Sequence, residues 1–254
     1  MSQFDNVDAI PRRTMTLFFV VDTSGSMAGE KIASVNTAVN EVIPYIEDIS
    51  SSNADAQIKI AALEFSSGTE WMFSSPVESE NFKWRDLEAG GLTSLGEACK
   101  ELDSKLSKTN GFMAEATGSF APAIILMSDG EPTDDYKHYL DKLKGNSWFK
   151  AAIKVAIAIG DQANNNILAE FTGNSEAVLT VHNKEQLKKI IRFVSVTASQ
   201  VASSHASVGK DAPETKQEEF TEKIADTLAN DSELQGVDSG TDVTPGADCW
   251  GDWQ

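Results

Sequence analysis

The chain has 254 residues, 39 of them acidic and 21 basic, for a formal charge of −18, a balance that argues against nonspecific affinity for nucleic acid or an anionic membrane. That length fits one α/β domain with an appendage or two small domains, and a hydrophobic fraction of 41% is enough to build a core in the ordered part. Cys99 and Cys249 stand far apart with no CxxC, so neither a disulfide framework nor a structural zinc site is indicated, and the polar start of the chain resembles no leader; a reducing, cytoplasmic setting is expected.

Residues 1–11 read as a polar N-terminal arm. Thr16–Val21 is continuous, β-branched or aromatic, as expected of a strand buried on both faces. Glu30–Ile49 follows with Ile32, Val35, Val39, Val42, Ile43 and Ile46 at helical spacing, and Pro44 is expected to kink that helix or end it early. Gln57–Phe65 is a second strand. The turn Ser66–Thr69 then leads into a short third strand at Glu70–Phe73, antiparallel to the second. Ala121–Met127, Ile153–Ile159 and the weaker Ala177–Val181 complete six strands, with helices between them near Ser94–Lys108, Asp135–Leu143, Asn165–Phe171 and Lys184–Ser203. Strand and helix in alternation predict an α/β, Rossmann-like, doubly wound and mainly parallel six-stranded sheet with one antiparallel edge strand, spanning residues 12–204.

Composition changes after that. Between Ser207 and Gln254 twelve acidic residues face three lysines, with few apolar residues, so 205–254 is expected to be an acidic, flexible and largely disordered tail. Thr215 and Glu218 nonetheless have capping-box spacing, and Phe220, Ile224 and Leu228 follow on one helical face, which predicts a short helix at 215–230. The end, Cys249-Trp-Gly-Asp-Trp-Gln254, places two tryptophans where they could anchor an interface. The composition leaves open whether this tail docks in trans, covers the chain's own site, or is simply solvated.

In a doubly wound sheet, ligands collect at the carboxyl ends of the parallel strands, where the strand order reverses. The first strand ends in Asp22-Thr-Ser-Gly-Ser26, and the strand Ala121–Met127 ends in Ser128-Asp129-Gly-Glu-Pro-Thr-Asp-Asp135. Ala89-Gly-Gly-Leu-Thr93-Ser-Leu-Gly96 is a glycine-rich loop opening a helix. Should the three converge, Asp22, Ser24, Ser26, Thr93 and Asp129 present only hard oxygen donors, a set suited to Mg²⁺ or Mn²⁺ and unsuited to softer metals. Glu131, Asp134, Asp135 and Asp161 fall on the same edge, and Thr133-Asp134-Asp135 reads as the N-cap of the helix that follows.

These three loops, in this order, resemble the metal-ion-dependent adhesion site (MIDAS) of von Willebrand factor A (vWA) domains, whose DxSxS motif is met by D-T-S-G-S. The stretches R12-R-T-M-T-L-F-F-V-V-D-T-S-G-S-M-A-G-E, G90-G-L-T-S-L-G96 and L126-M-S-D-G-E-P-T-D-D135 are similar to the bacterial branch associated with tellurium resistance and stress (TerY-like). The resemblance implies that Ser24 and Ser26 coordinate directly and that Thr93 joins them in the liganded form. Asp22 and Asp129 then bind directly or through water, and a Glu or Asp of a protein partner completes the shell. It further implies a cytoplasmic interaction module rather than an enzyme, with a protein kinase and a protein phosphatase as candidate partners; in that setting Ser239, Thr241 and Thr244 are candidate kinase targets. Among alternatives, a haloacid-dehalogenase-like Mg²⁺-dependent phosphatase would need an Asp where Ser24 stands. A phosphate-binding loop would need GxxxxGK[ST], which Gly25–Lys31 lacks. The histidines His138, His182 and His205 do not suggest a base for serine catalysis, and a secreted vWA adhesin would bring a signal and disulfides.

Overall fold

The computed structural model describes residues 12–54, 56–114, 119–203, 215–234 and 236–240. The predicted N-terminal arm, the tryptophan-bearing end, His205, Thr241 and Thr244 lie outside them. Among these residues eight strands form one sheet: β1 (Arg13–Asp22), β2 (Ala56–Phe65), β3 (Thr69–Trp71), β4 (Val77–Glu78), β5 (Ala123–Ser128), β6 (Ile153–Ile159), β7 (Val178–Val181) and β8 (Asp238–Ser239). Their order is β3-β2-β1-β5-β6-β7-β8, with β4 pairing β2 off that path. Strands β2, β1, β5, β6 and β7 are mutually parallel, while β3, β4 and β8 are antiparallel. The six predicted strands are all present; β4 and β8 are additions, each two residues long, too short to show any period.

Among the described residues, seven α-helices sandwich the sheet: α1 (Glu30–Ser52), α2 (Leu95–Lys105), α3 (Tyr136–Gly145), α4 (Ser147–Ala151), α5 (Asn165–Thr172), α6 (Lys184–Ser203) and α7 (Lys216–Asn230). The continuous apolar strands make sense in this setting, since both faces of β1 are covered. Phe19 and Val21 pack with Val35, Val39 and Ile46 of α1 and with Ile190 and Val194 of α6. Phe18 and Val20 pack with Ala98, Cys99 and Leu102 of α2 and with Leu140 and Leu143 of α3. Cys99 is part of that second layer, and burial pushes its thiol up to about 12, so it acts as a small hydrophobe rather than a nucleophile.

Helix α1 runs through Pro44 instead of ending there. Pro44 and Asn40, whose carbonyl loses its amide partner, both lie on the exposed side, so water can serve that carbonyl while Val42, Ile43 and Ile46 keep the inner face buried. The predicted helix at 215–230 is α7, and its capping box is complete: Glu218 N–H donates to Thr215 Oγ1 at 3.1 Å, and Thr215 N–H to Glu218 Oε2 at 3.0 Å. Phe220 and Ile224 are fully buried in the apolar layer that α1 and α6 also fill, where α7 packs on α6 and β6, with Leu234 close behind. Gln217 also exchanges two hydrogen bonds with the backbone of Lys154, at 2.7 and 3.0 Å. Segment 215–240, which composition assigns to the tail, is therefore packed on the body by an apolar face and an added strand.

Candidate metal centre

Strand order places the reversal between β1 and β5, because α1 leaves β1 over one face while α3 leaves β5 over the other. The crevice lies beyond their carboxyl ends, where β1 finishes at Asp22 and β5 at Ser128, one residue before Asp129. The glycine-rich loop is tied to the same place by its backbone. Gly90 N–H donates to Thr23 O at 2.8 Å and Gly25 N–H to Gly91 O at 3.1 Å. Gly91 has φ +85°, and a Cβ there would stand 2.6 Å from Ser67 Oγ, so the turn that brings this loop in requires glycine.

The five predicted residues come together. Ser24 Oγ and Ser26 Oγ are 3.0 Å apart, and Ser26 Oγ donates to Asp129 Oδ1 at 2.7 Å. Asp22 Oδ1 accepts from Ser24 N–H at 2.8 Å and Oδ2 from the Ser128 hydroxyl at 2.6 Å. Thr93 is held by Thr133, whose N–H donates to Thr93 O at 2.8 Å and whose hydroxyl accepts from Thr93 N–H at 3.2 Å. The hydroxyls of Ser26 and Thr93 both face Gly130, where a Cβ would stand 3.4 and 3.9 Å from them. Asp22, Ser24, Thr93 and Asp129 are buried and Ser26 is exposed, so the cluster opens to solvent on the Ser26 side.

Burial raises the Asp22 carboxyl above the ordinary aspartate range, and nearby Asp129 adds to the rise, while the hydrogen bonds from Ser128 and Ser24 oppose it. Asp129 has a cation: Lys31 Nζ is 2.6 Å from its Oδ2. Among the described residues no group of three or more His, Cys, Asp or Glu side chains is placed to hold a metal. A metal centre here therefore depends on hydroxyls as well as on the two carboxylates. All the donors are hard oxygens, and the arrangement fits an oxygen-seeking divalent cation.

Lys31 and Ser128 are the residues that motif reading passed over. Ser128 stands inside the quoted motif as an ordinary strand-end serine. Lys31 carried a signal, being a cation in the first turn of a helix, where the dipole disfavours it unless a carboxylate lies near. Asp134 is a cap, but of α2 rather than of the helix that follows it: its two oxygens accept from Gly96 N–H at 3.0 Å and Glu97 N–H at 3.1 Å. Asp135 takes the N-cap position of α3 with no side-chain bond. Glu131 accepts from Asn164 Nδ2 at 2.9 Å, and Asp161 lies 2.6 Å from His182 Nδ1. Lys154 sits at the amino end of β6, remote from the crevice, and donates to Phe149 O and Ala152 O.

No curated protein matches the chain, and no helix among the described residues is long and apolar enough to cross a membrane. Solved structures share the fold. The ArnB paralog VWA2 from Sulfolobus acidocaldarius is 20% identical with a TM-score of 0.50, over 70% of this chain and 44% of that one. A von Willebrand factor type A protein from Catenulispora acidiphila is 14% identical with a TM-score of 0.54, over 74% and 43%. Proximal thread matrix protein 1 from the mussel byssus, with a zinc-occupied MIDAS motif, is 17% identical with a TM-score of 0.56, over 74% and 48%. The chain thus spans under half the length of each of these proteins. The family model for the von Willebrand factor type A domain matches residues 16–193, which hold every strand from β2 to β7, most of β1 and all five oxygen donors; this chain belongs to that family.

Proposed function

We propose that the chain is a metal-dependent protein-interaction module. Asp22, Ser24, Ser26, Thr93 and Asp129 hold Mg²⁺ or Mn²⁺, and a Glu or Asp of a protein partner binds at the same centre. The observation that carries this reading is the donor set itself: three hydroxyls and two carboxylates from three loops converge on one crevice that opens at Ser26. Hydroxyls coordinate without adding negative charge, so the two carboxylates no more than neutralise a divalent ion and an outside carboxylate can still be accepted. Leu92, beside Thr93, is 59% exposed and offers an apolar contact on the rim for the same partner. The zinc in the mussel protein's MIDAS motif supports divalent binding on this fold. Phosphatase chemistry is disfavoured, since Ser24 stands where a general acid is needed, and Lys31, which does reach the crevice, is bound to Asp129.

By resemblance of its three motif stretches, the module is assigned to a cytoplasmic stress system of the tellurium-resistance type, with a kinase and a phosphatase as candidate partners. The metal reading is tested by thermal unfolding. Millimolar MgCl₂ or MnCl₂ should raise the wild-type Tm, with about 2.7 kcal/mol of added stability at a hundredfold excess over Kd. Asp22→Ala should abolish the rise. A wild-type Tm unmoved by either metal would sink the reading, and turnover of a phosphate ester that vanishes in Asp22→Asn would replace it.

A further inference from the structure

The two carboxylates of the centre are treated unequally. Asp22 lies deep with hydrogen bonds to Ser24 and Ser128 and no cation. Asp129, its side chain fully buried, holds Lys31 Nζ at 2.6 Å, while the Lys31 side chain keeps 18% exposure and so has a path to water. Both oxygens of Asp129 are engaged, Oδ1 by Ser26 and Oδ2 by Lys31. No other lysine, arginine or histidine among the described residues pairs with either aspartate.

Lys31 is also held against opposing forces. It is the second residue of α1, and the positive end of that helix repels an ammonium group there. A divalent ion among the same oxygens repels it more strongly still, because like charges a few ångströms apart in a partly buried site interact strongly. Among the described residues, Asp129 alone keeps it in place. Its long stem allows the ammonium to swing outward without moving the backbone.

Resting on the metal-site reading above, we propose that Lys31 is a built-in competitor of the metal: its ammonium neutralises Asp129 in the metal-free module and must leave Oδ2 when a divalent ion binds. The module then exists in a lysine-closed and a metal-loaded form, and the lysine sets the metal concentration that separates them. Charge counting gives the second half of the device. Two carboxylates and a divalent ion sum to zero, and the displaced ammonium beside them leaves the loaded crevice at +1, matched to one incoming carboxylate.

The test is calorimetric titration of the full chain with MgCl₂ and MnCl₂ at fixed ionic strength, comparing wild type with Lys31→Met and Lys31→Gln. When the lysine-closed form makes up about nine-tenths of the metal-free protein, the competitor weakens apparent affinity about tenfold. Both variants should therefore bind about tenfold tighter, and their metal-induced rise in Tm should exceed that of wild type. Glutamine keeps a hydrogen bond to Asp129 without the charge and serves should methionine impair folding. Metal binding that is unchanged or weaker in both variants would overturn the proposal and make Lys31 a positioning residue for Asp129, with the metal site intact. Binding absent from wild type and both variants would overturn the metal-site reading itself, and this proposal with it.

Discussion

Two carboxylate clusters stand at the same carboxyl edge of the sheet, and they settle their charge in different ways. In the crevice between β1 and β5, two aspartates meet three hydroxyls and one lysine that reaches in from α1. At the far side, Asp161 after β6 and Asp238 on β8 flank His182 after β7, at 2.6 Å from Nδ1 and 3.3 Å from Nε2. A neutral imidazole donates to only one of them and an imidazolium to both. The second cluster is closed: its members come from three strand ends, and together they fasten β8, and with it the segment after α7, to the body. The first is open, since its hydroxyls have lone pairs to spare and a face turned to solvent. One end of the edge ties the chain to itself, and the other leaves hydroxyl oxygens open on the Ser26 side.

The comparison requires that the fastened region can be damaged without touching the crevice. The largest effect is expected from Phe220→Ala. Phe220 is fully buried where α7 packs on α6 and β6, and its truncation should cost about 3–5 kcal/mol in urea unfolding. The metal-induced rise in Tm should survive in the folded variant. Loss of less than about 1 kcal/mol would show that α7 does not belong to the cooperative unit.

The crevice and the fastened region also differed in how far they could be read from sequence. Asp22, Ser24, Ser26 and Asp129 were legible because each ends or follows a strongly apolar strand, so strand direction places them on one edge, whereas Thr93 lies in a glycine-rich loop that opens a helix and has no such run before it. The family resemblance then brought the three loops together. Lys31 was not legible as a partner, since its contact with Asp129 spans 98 positions in the chain and depends on how α1 lies over the sheet. Segment 215–240 was half legible. The capping box and the spacing of Phe220, Ile224 and Leu228 predicted α7, but the acidic composition hid its docking, which rests on Phe220, Ile224 and Leu234 in the core, Leu228 and Val237 packed against it, the hydrogen bonds of Gln217 and the pairing of β8 with β7. A two-residue strand such as β8 has no periodicity to detect; only its neighbour β7 makes it a strand.

Lys154 sharpens the comparison from a third direction, as a buried cation with no carboxylate beside it among the described residues. Its ammonium donates to Phe149 O at 3.1 Å and Ala152 O at 2.8 Å, and burial pulls its pKa down from 10.5 to about 8. Below about pH 8 the group is charged in both folded and unfolded chains, and burying that charge works against the fold. Between about 8 and 10.5 the folded chain gives up a proton that the unfolded chain keeps, so the unfolded state binds more protons and stability rises with pH. Relative to Lys154→Met, the wild type should gain about 2–3 kcal/mol between pH 7.5 and roughly pH 10.5 in paired urea titrations. A constant difference across that range would mean that the two carbonyls solvate the ammonium as well as water does.

The smallest effect is expected at Asp238, and it bears most directly on whether the second cluster is a fastener. Asp238 lies 3.3 Å from His182 Nε2 with 28% side-chain exposure, so Asp238→Ala should remove about 1 kcal/mol or less. That loss should appear locally. The amide of Gly240, which donates to Val178 O at 3.0 Å just beyond β8, should exchange with solvent up to about fivefold faster, while the amides of β1 and β5 exchange as before. Slowed or unchanged exchange at Gly240 would remove the fastening role from the histidine cluster. A changed metal response in Asp238→Ala would join the two clusters into one electrostatic unit, and the open end of the sheet edge would then depend on the closed one.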